Sequence, residues 1–171
     1  MSQQHAVTAE ELTVEGFAPY GQAVLVPEIP APKTGEDWDC WFGLGSLSES
    51  RAAVGIVLTR PTNRLITTME REPTTEFLLP ISGLVIQAVA VPGDLTDHGQ
   101  QPDASTVRAF IIRPGQAIIM APGTWHWAAL PLDRETLYYF VTEPHPLEPG
   151  REASPWVPFK NGDTVRVVIP R

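Results

Sequence analysis

Proline and glycine limit the length of anything this chain can build. Eighteen prolines and thirteen glycines are spread through its 171 residues. Proline lacks a backbone donor and interrupts helices and central strands, while glycine favours turns. Between them lie short apolar runs at 53–59, 64–69, 76–81, 84–91, 106–112, 117–121, 136–142 and 164–169. These runs are rich in Val, Ile, Leu, Thr, Phe and Tyr, which suit a pleated, half-buried surface. Their lengths and turn spacing predict an all-β sandwich or barrel. A doubly wound parallel sheet would need long helices between strands, and no segment offers one. A short N-terminal helix is expected only in the first dozen residues, where Thr8 stands three positions before Glu11 as a capping pair. Phe17-Ala18-Pro19-Tyr20-Gly21 then turns the chain into a strand at Ala23–Val26, and 27–37 reads as an exposed loop.

The length predicts one domain over residues 1–171 with a sizeable core. The formal net charge is −8 and basic residues do not cluster, so nucleic acid and anionic membrane are poor partners. No secretory pattern opens the sequence, and no apolar stretch is long enough to span a membrane. The run Leu84–Val91 is too short and is interrupted by Gln87. The lone Cys40 cannot form an internal disulfide. A cytoplasmic protein is expected. Cys40 lies among Trp38, Trp41 and Phe42 and reads as a small buried hydrophobe; those aromatics suit either a lid or core packing. Two runs, Val85–Val91 and Ala117–Met120, are apolar on both faces. Such a strand fills a barrel with one face and meets a helix, a loop or a second subunit with the other, so a homodimer is expected.

The chemistry-bearing residues fall between Glu70 and His126. Glu70, Glu72 and Glu76 share the parity of one strand face, but Pro73 breaks the segment. Glu70 and Glu72 are expected to end one strand and Glu76 to begin the next. Two readings compete: three solvated carboxylates, or acids turned into the interior. Phe77, Leu78, Leu79 and Pro80 follow Glu76 directly, and a carboxylate in such surroundings must be paired, protonated or metal-bound. His126 follows the Pro122-Gly123 turn between Trp125 and Trp127. It is either a core histidine held by a backbone carbonyl or a group returned over the barrel interior beside the acids. Three oxygen donors and one nitrogen, from Glu70, Glu72, Glu76 and His126, would suit Mn2+, Ni2+, Fe2+ or Zn2+. No motif for an organic cofactor is present.

Other residues could touch a ligand. Arg108, in the run Thr106–Ile112, offers a fork for a carboxylate or pairs with a protein acid such as Asp103. Ser105 caps its loop or hydrogen-bonds there. Tyr138, Tyr139 and Phe140 cover both faces of a late strand, so one tyrosine can line a cavity while the others pack. Arg71 points away from Glu70 and Glu72 by parity. His98 in its polar loop and His145 between two prolines read as solvent-facing or structural.

The layout of Glu70-x-Glu72-x-x-x-Glu76 with Gly83, then Gly115 to His126, is similar to the two motifs of a cupin barrel, with carboxylates where the first histidines stand. More specifically, Phe17-Ala18-Pro19-Tyr20-Gly21, Glu70-Arg71-Glu72, Pro80, Gly83, Asp103-Ala104-Ser105-Thr106-Val107-Arg108-Ala109-Phe110 and Gly123-Thr124-Trp125-His126 resemble the ureidoglycolate lyase family of cupins. The likeness spans about residues 12–142, which leaves 143–171 as a C-terminal extension. The resemblance implies a cupin-type double-stranded β-helix (a jelly-roll barrel) and a homodimer. It also implies metal-assisted cleavage of ureidoglycolate to glyoxylate and urea in allantoin breakdown, a branch of purine metabolism. The family often has His at the place of Glu72, Gln at that of Glu76 and His at that of Trp127. These changes make the cavity more negative.

On this reading Glu70, Glu72, Glu76 and His126 hold a divalent ion, one carboxylate is the general base, and Arg108, Ser105 and Tyr138 bind the substrate. The alternatives are a divergent cupin isomerase, epimerase, decarboxylase or dioxygenase acting on another small carboxylate, and a non-catalytic metabolite-binding cupin.

Overall fold

Two β-sheets curl over one another in the computed structural model, which describes residues 2–26, 28–34, 39–40, 44–45, 47, 52–143 and 156–170. The larger sheet runs in the order Trp125–His126, Val85–Ala90, Arg108–Ile112, Gln4–Glu11, Thr164–Val168, Leu65–Ile66, with Leu130–Pro131 also paired to Val85–Ala90. The smaller runs Gly21–Val24, Ala117–Met120, Glu76–Pro80, Thr136–Thr142, Ala53–Thr59. The arrangement is a half-barrel like a cupin jelly roll. It is not fully closed, because no ladder joins the two sheets among the described residues. None of the described helices is long and apolar enough to cross a membrane.

The apolar runs become strands close to where proline and glycine delimit them. The exception is the start of the chain. Residues 4–11 form a strand, not the expected helix. Their burial alternates, with His5, Val7 and Ala9 turned to one side. Parallel partners flank them, Arg108–Ile112 on one edge and Thr164–Val168 on the other. Two ladders outweigh a local capping signal worth about 1 kcal/mol. The helix comes later, at Val14–Phe17, where the Thr13 hydroxyl accepts the Gly16 N–H at 3.0 Å. Thr164–Val168, expected in a C-terminal extension, instead fills an interior place in the larger sheet. Trp38, Trp41, Phe42, His145 and the side chain of Cys40 lie outside the described residues.

The two-faced run Val85–Ala90 is buried at all six positions because each face has its own core. Val85 and Val89 pack between the sheets against Leu78, Phe110, Ile118 and Met120. Ile86, Ala88 and Ala90 pack on the opposite side with Ile66, Phe159 and Val165. Each such large apolar side chain contributes roughly 1.5–3 kcal/mol when fully buried. The chain covers both faces itself, so this run does not supply the surface for a second subunit. Phe17, Tyr20 and Phe110 close one end of the inner core, with Phe17 and Phe110 edge to face at 5.2 Å.

Candidate active site

Glu70 and His126 form an isolated antiparallel bridge. The Glu70 N–H donates to the His126 carbonyl at 2.9 Å, and the His126 N–H donates back at 2.8 Å. Residues paired in this way project their side chains to the same face. His126 is in turn opposite Val89, which points into the inner core. A second tie runs from the Gly123 N–H to the Glu72 carbonyl at 2.8 Å. Gly123 has φ +80°, and a Cβ there would stand 2.8 Å from the Gly93 carbonyl oxygen, so the turn requires glycine. The acidic loop and the histidine turn are therefore fixed to each other by backbone alone. Glu76 arrives from the other sheet as the first residue of Glu76–Pro80.

The histidine is held in one tautomer. Its Nδ1 lies 3.0 Å from the Thr124 carbonyl oxygen, which can only accept, so Nδ1 carries the proton and Nε2 keeps a lone pair when the ring is neutral. Nε2 is 3.8 Å from Glu70 Oε1 and 3.6 Å from Glu76 Oε2. Both gaps are too long for a direct hydrogen bond. The His126, Glu70 and Glu76 side chains are only 5%, 19% and 15% exposed. Burial pushes the Glu70 carboxyl up to about 7; His126 opposes this, and Glu72 and Glu76 add to it.

These groups line a cavity of about 240 Å³. Tyr138 lines it as well, and burial pushes its phenol up to about 12 although an Ala129 backbone hydrogen bond opposes the shift. The Trp127 and Trp156 rings, 4.6 Å apart, form an aromatic wall. Thr142, also in the lining, has a buried hydroxyl with no hydrogen-bond partner among the described residues.

Five of the expected site residues thus meet: Glu70, Glu72, Glu76, His126 and Tyr138. Arg108 and Ser105 do not line this cavity. Arg108 shares the register row Glu70–His126–Val89–Arg108, two strands from His126, or roughly 10 Å at the usual strand spacing. Its guanidinium turns the other way, donating from Nε to Glu10 Oε1 at 2.8 Å and from a terminal nitrogen to Glu10 Oε2. It also lies over the Phe110 ring. Ser105 donates to Asp103 Oδ1 at 2.6 Å on an exposed 3-10 turn. Arg71 points away as expected and stacks on Trp125, 4.5 Å from the ring centroid.

The four-donor metal centre is not formed. Among the described residues no group of three or more His, Cys, Asp or Glu is placed to hold a metal ion. The donors enter from both sheets, with Glu70 bridged to His126 on the larger and Glu76 on the smaller. They share a cavity, but no three of them are placed together as a metal cluster. Three polar or aromatic lining residues were not singled out as site residues from the sequence: Gln87, Thr142 and Trp156. Gln87 had a usable signal, as the lone polar residue in a fully buried strand.

The fold and site together define a half-barrel with an acid–imidazole cavity between its two sheets. The chain belongs to the ureidoglycolate lyase family, whose sequence model matches residues 4–154. A ureidoglycolate lyase from Chelativorans sp. (strain BNC1) is 27% identical over 143 residues, 79% of this chain and 83% of that protein. A relative from Agrobacterium fabrum (strain C58 / ATCC 33970) is 28% identical over 130 residues, 74% of this chain and 75% of its own length. Among solved structures, RmlC from Streptococcus suis aligns with a TM-score of 0.41 at 14% identity, over 56% of this chain and 45% of that one. Bacillus subtilis oxalate decarboxylase aligns with a TM-score of 0.40 at 17% identity, over 55% and 22%. The chain spans less than half the length of either structure.

Proposed function

We propose that this protein is a carbon–nitrogen lyase that splits ureidoglycolate into glyoxylate and urea, or a closely related carbinolamine into its own oxo acid and nitrogen compound. The reading is supported by family membership. It is carried by one observation: His126 Nε2, with its tautomer set by Thr124, faces Glu70 and Glu76 across gaps of 3.8 and 3.6 Å in a cavity between the two sheets, where all three side chains are largely buried. A substrate in the cavity can set its hydroxyl against Nε2 and its nitrogen against Glu70.

The reaction moves one proton from oxygen to nitrogen. His126 Nε2 accepts the hydroxyl proton, and the O–H electron pair becomes the second bond of the new carbonyl. The C–N pair leaves with nitrogen, which takes a proton from Glu70. Glu70 suits the acid role because burial holds its carboxyl near 7, so a large fraction is protonated at neutral pH. Glu76, beside Nε2, stabilises the imidazolium as it forms. No step is routed through a metal, because the described donors do not converge on one.

The test is to incubate the protein with racemic ureidoglycolate and to measure glyoxylate, urea and ammonia. Equal glyoxylate and urea, no ammonia, and a rate well above spontaneous breakdown are expected. Ammonia release, or no rate above background, overturns the reading.

A further inference from the structure

Gln87 is 1% exposed in the middle of Val85–Ala90, whose other five residues are apolar. Its Nε2 donates to the Trp127 carbonyl at 2.6 Å and to the Ala88 carbonyl at 3.2 Å. Carbonyl oxygens only accept, so the amide cannot be turned round: Nε2 faces them and Oε1 faces away. With both N–H groups committed, Oε1 holds the remaining hydrogen-bonding capacity of a side chain that lines the cavity. One of its anchors, Trp127, directly follows His126, so the amide is tied to the segment that carries the imidazole.

The chemistry of that end is selective. A carbonyl acceptor attracts N–H groups and repels a carboxylate. A ligand without an N–H there would leave Oε1 buried and unpaired, a mismatch that sites built around a hydrogen bond discriminate against strongly.

We propose that Gln87 is a specificity-determining residue whose Oε1 accepts an N–H from the carbamoyl end of the substrate. This rests on the lyase reading, in which the ureido group is the leaving group. It orients the molecule with its carboxylate turned away from Gln87 and its ureido nitrogen toward the acid–base pair. Methylation of the terminal nitrogen removes donors and is expected to weaken binding.

Urea and glyoxylate serve as separate probes of the two ends. In Gln87→Met, nearly the same shape without the amide, competitive inhibition by urea is expected to weaken about tenfold or more, as for loss of one buried hydrogen bond. Inhibition by glyoxylate should stay within about twofold. Equal losses for both, or no loss for urea, overturn the proposal. A measurement on the unaltered protein guards against a variant that misfolds: crystals soaked in urea should show a urea nitrogen within hydrogen-bond distance of Gln87 Oε1. Urea seated elsewhere, or absent from the cavity, overturns it equally. Urea at Gln87 without turnover of ureidoglycolate sinks the reaction and keeps the residue assignment. Turnover with urea seated elsewhere does the reverse.

Discussion

The ring of Phe140 lies flat across Gly55, its register partner on the neighbouring strand, so that a methyl group at Gly55 would overlap the ring. Phe140 lines the cavity, and the bare backbone of Gly55 is what lets the ring lie back against the sheet. Gly55→Ala should push the ring toward the substrate. A KM raised several-fold and a stability loss of about 1–3 kcal/mol are expected from the overpacking. Steady-state kinetics and thermal unfolding check both; an unchanged KM would show that the ring finds another place.

His126→Asn removes Nε2 and keeps a donor near the position of Nδ1, where Thr124 accepts. The fold should survive with stability changed by less than about 1 kcal/mol, while kcat/KM falls about 10²–10⁴-fold, the usual scale for losing an acid–base group. Activity within tenfold of the parent would remove His126 from the chemistry.

Glu70 gives two pH signatures. Its carboxyl is raised from 4.5 to about 7, chiefly by burial. Between those values the folded protein holds a proton that the unfolded chain releases, so Glu70 makes the fold lose stability as pH rises from about 4.5 to 7. Glu70→Gln lacks this loss. The variant should match the parent near pH 4.5 and gain on it up to roughly 3 kcal/mol above pH 7, at 1.36 kcal/mol per pKa unit. Denaturant unfolding at pH 5 and pH 8 measures the difference. In the parent, kcat/KM should decline as pH rises through about 7, because the acid form of Glu70 is consumed.

Thr142 keeps a buried hydroxyl without a partner among the described residues. Thr142→Val replaces it with a methyl group of the same shape. Relief of the desolvation penalty should stabilise the ligand-free protein by about 1 kcal/mol. A lower melting temperature would mean that the hydroxyl is satisfied after all.

The acid–base reading proposed above predicts a metal-independent rate, because His126 and Glu70 carry both proton transfers. Protein purified without added metal and treated with EDTA should keep its full rate, and Mn2+ or Ni2+ should change it by less than about twofold. A loss restored by one ion would overturn this.

Local pattern made most strands and the acid–imidazole cluster legible. Proline and glycine marked the segment ends; the residues alone left open whether Glu70 and Glu76 face solvent or turn inward beside His126. Pairing between distant segments left no such trace. Thr8 and Glu11 looked like a helix cap because the strand's two parallel partners are remote in sequence. The same error hid Glu10, and with it the reason that Arg108 turns from the cavity. A metal centre is not legible in the same way: parity tells which face a carboxylate takes, but not whether carboxylates from two sheets converge.

The position of Gln4–Glu11 in the sheet carries a cost in time. Gln4 must find Thr164 on one edge and Ala9 must find Ala109 on the other. A growing chain releases this strand long before either partner exists. Ribosomes add roughly 5–20 residues per second, so both of its edges stay open for several seconds at least. The larger sheet is therefore completed only after nearly the whole described chain has emerged. Its nascent form, with two unsatisfied strand edges, is the state most exposed to mispairing with other chains.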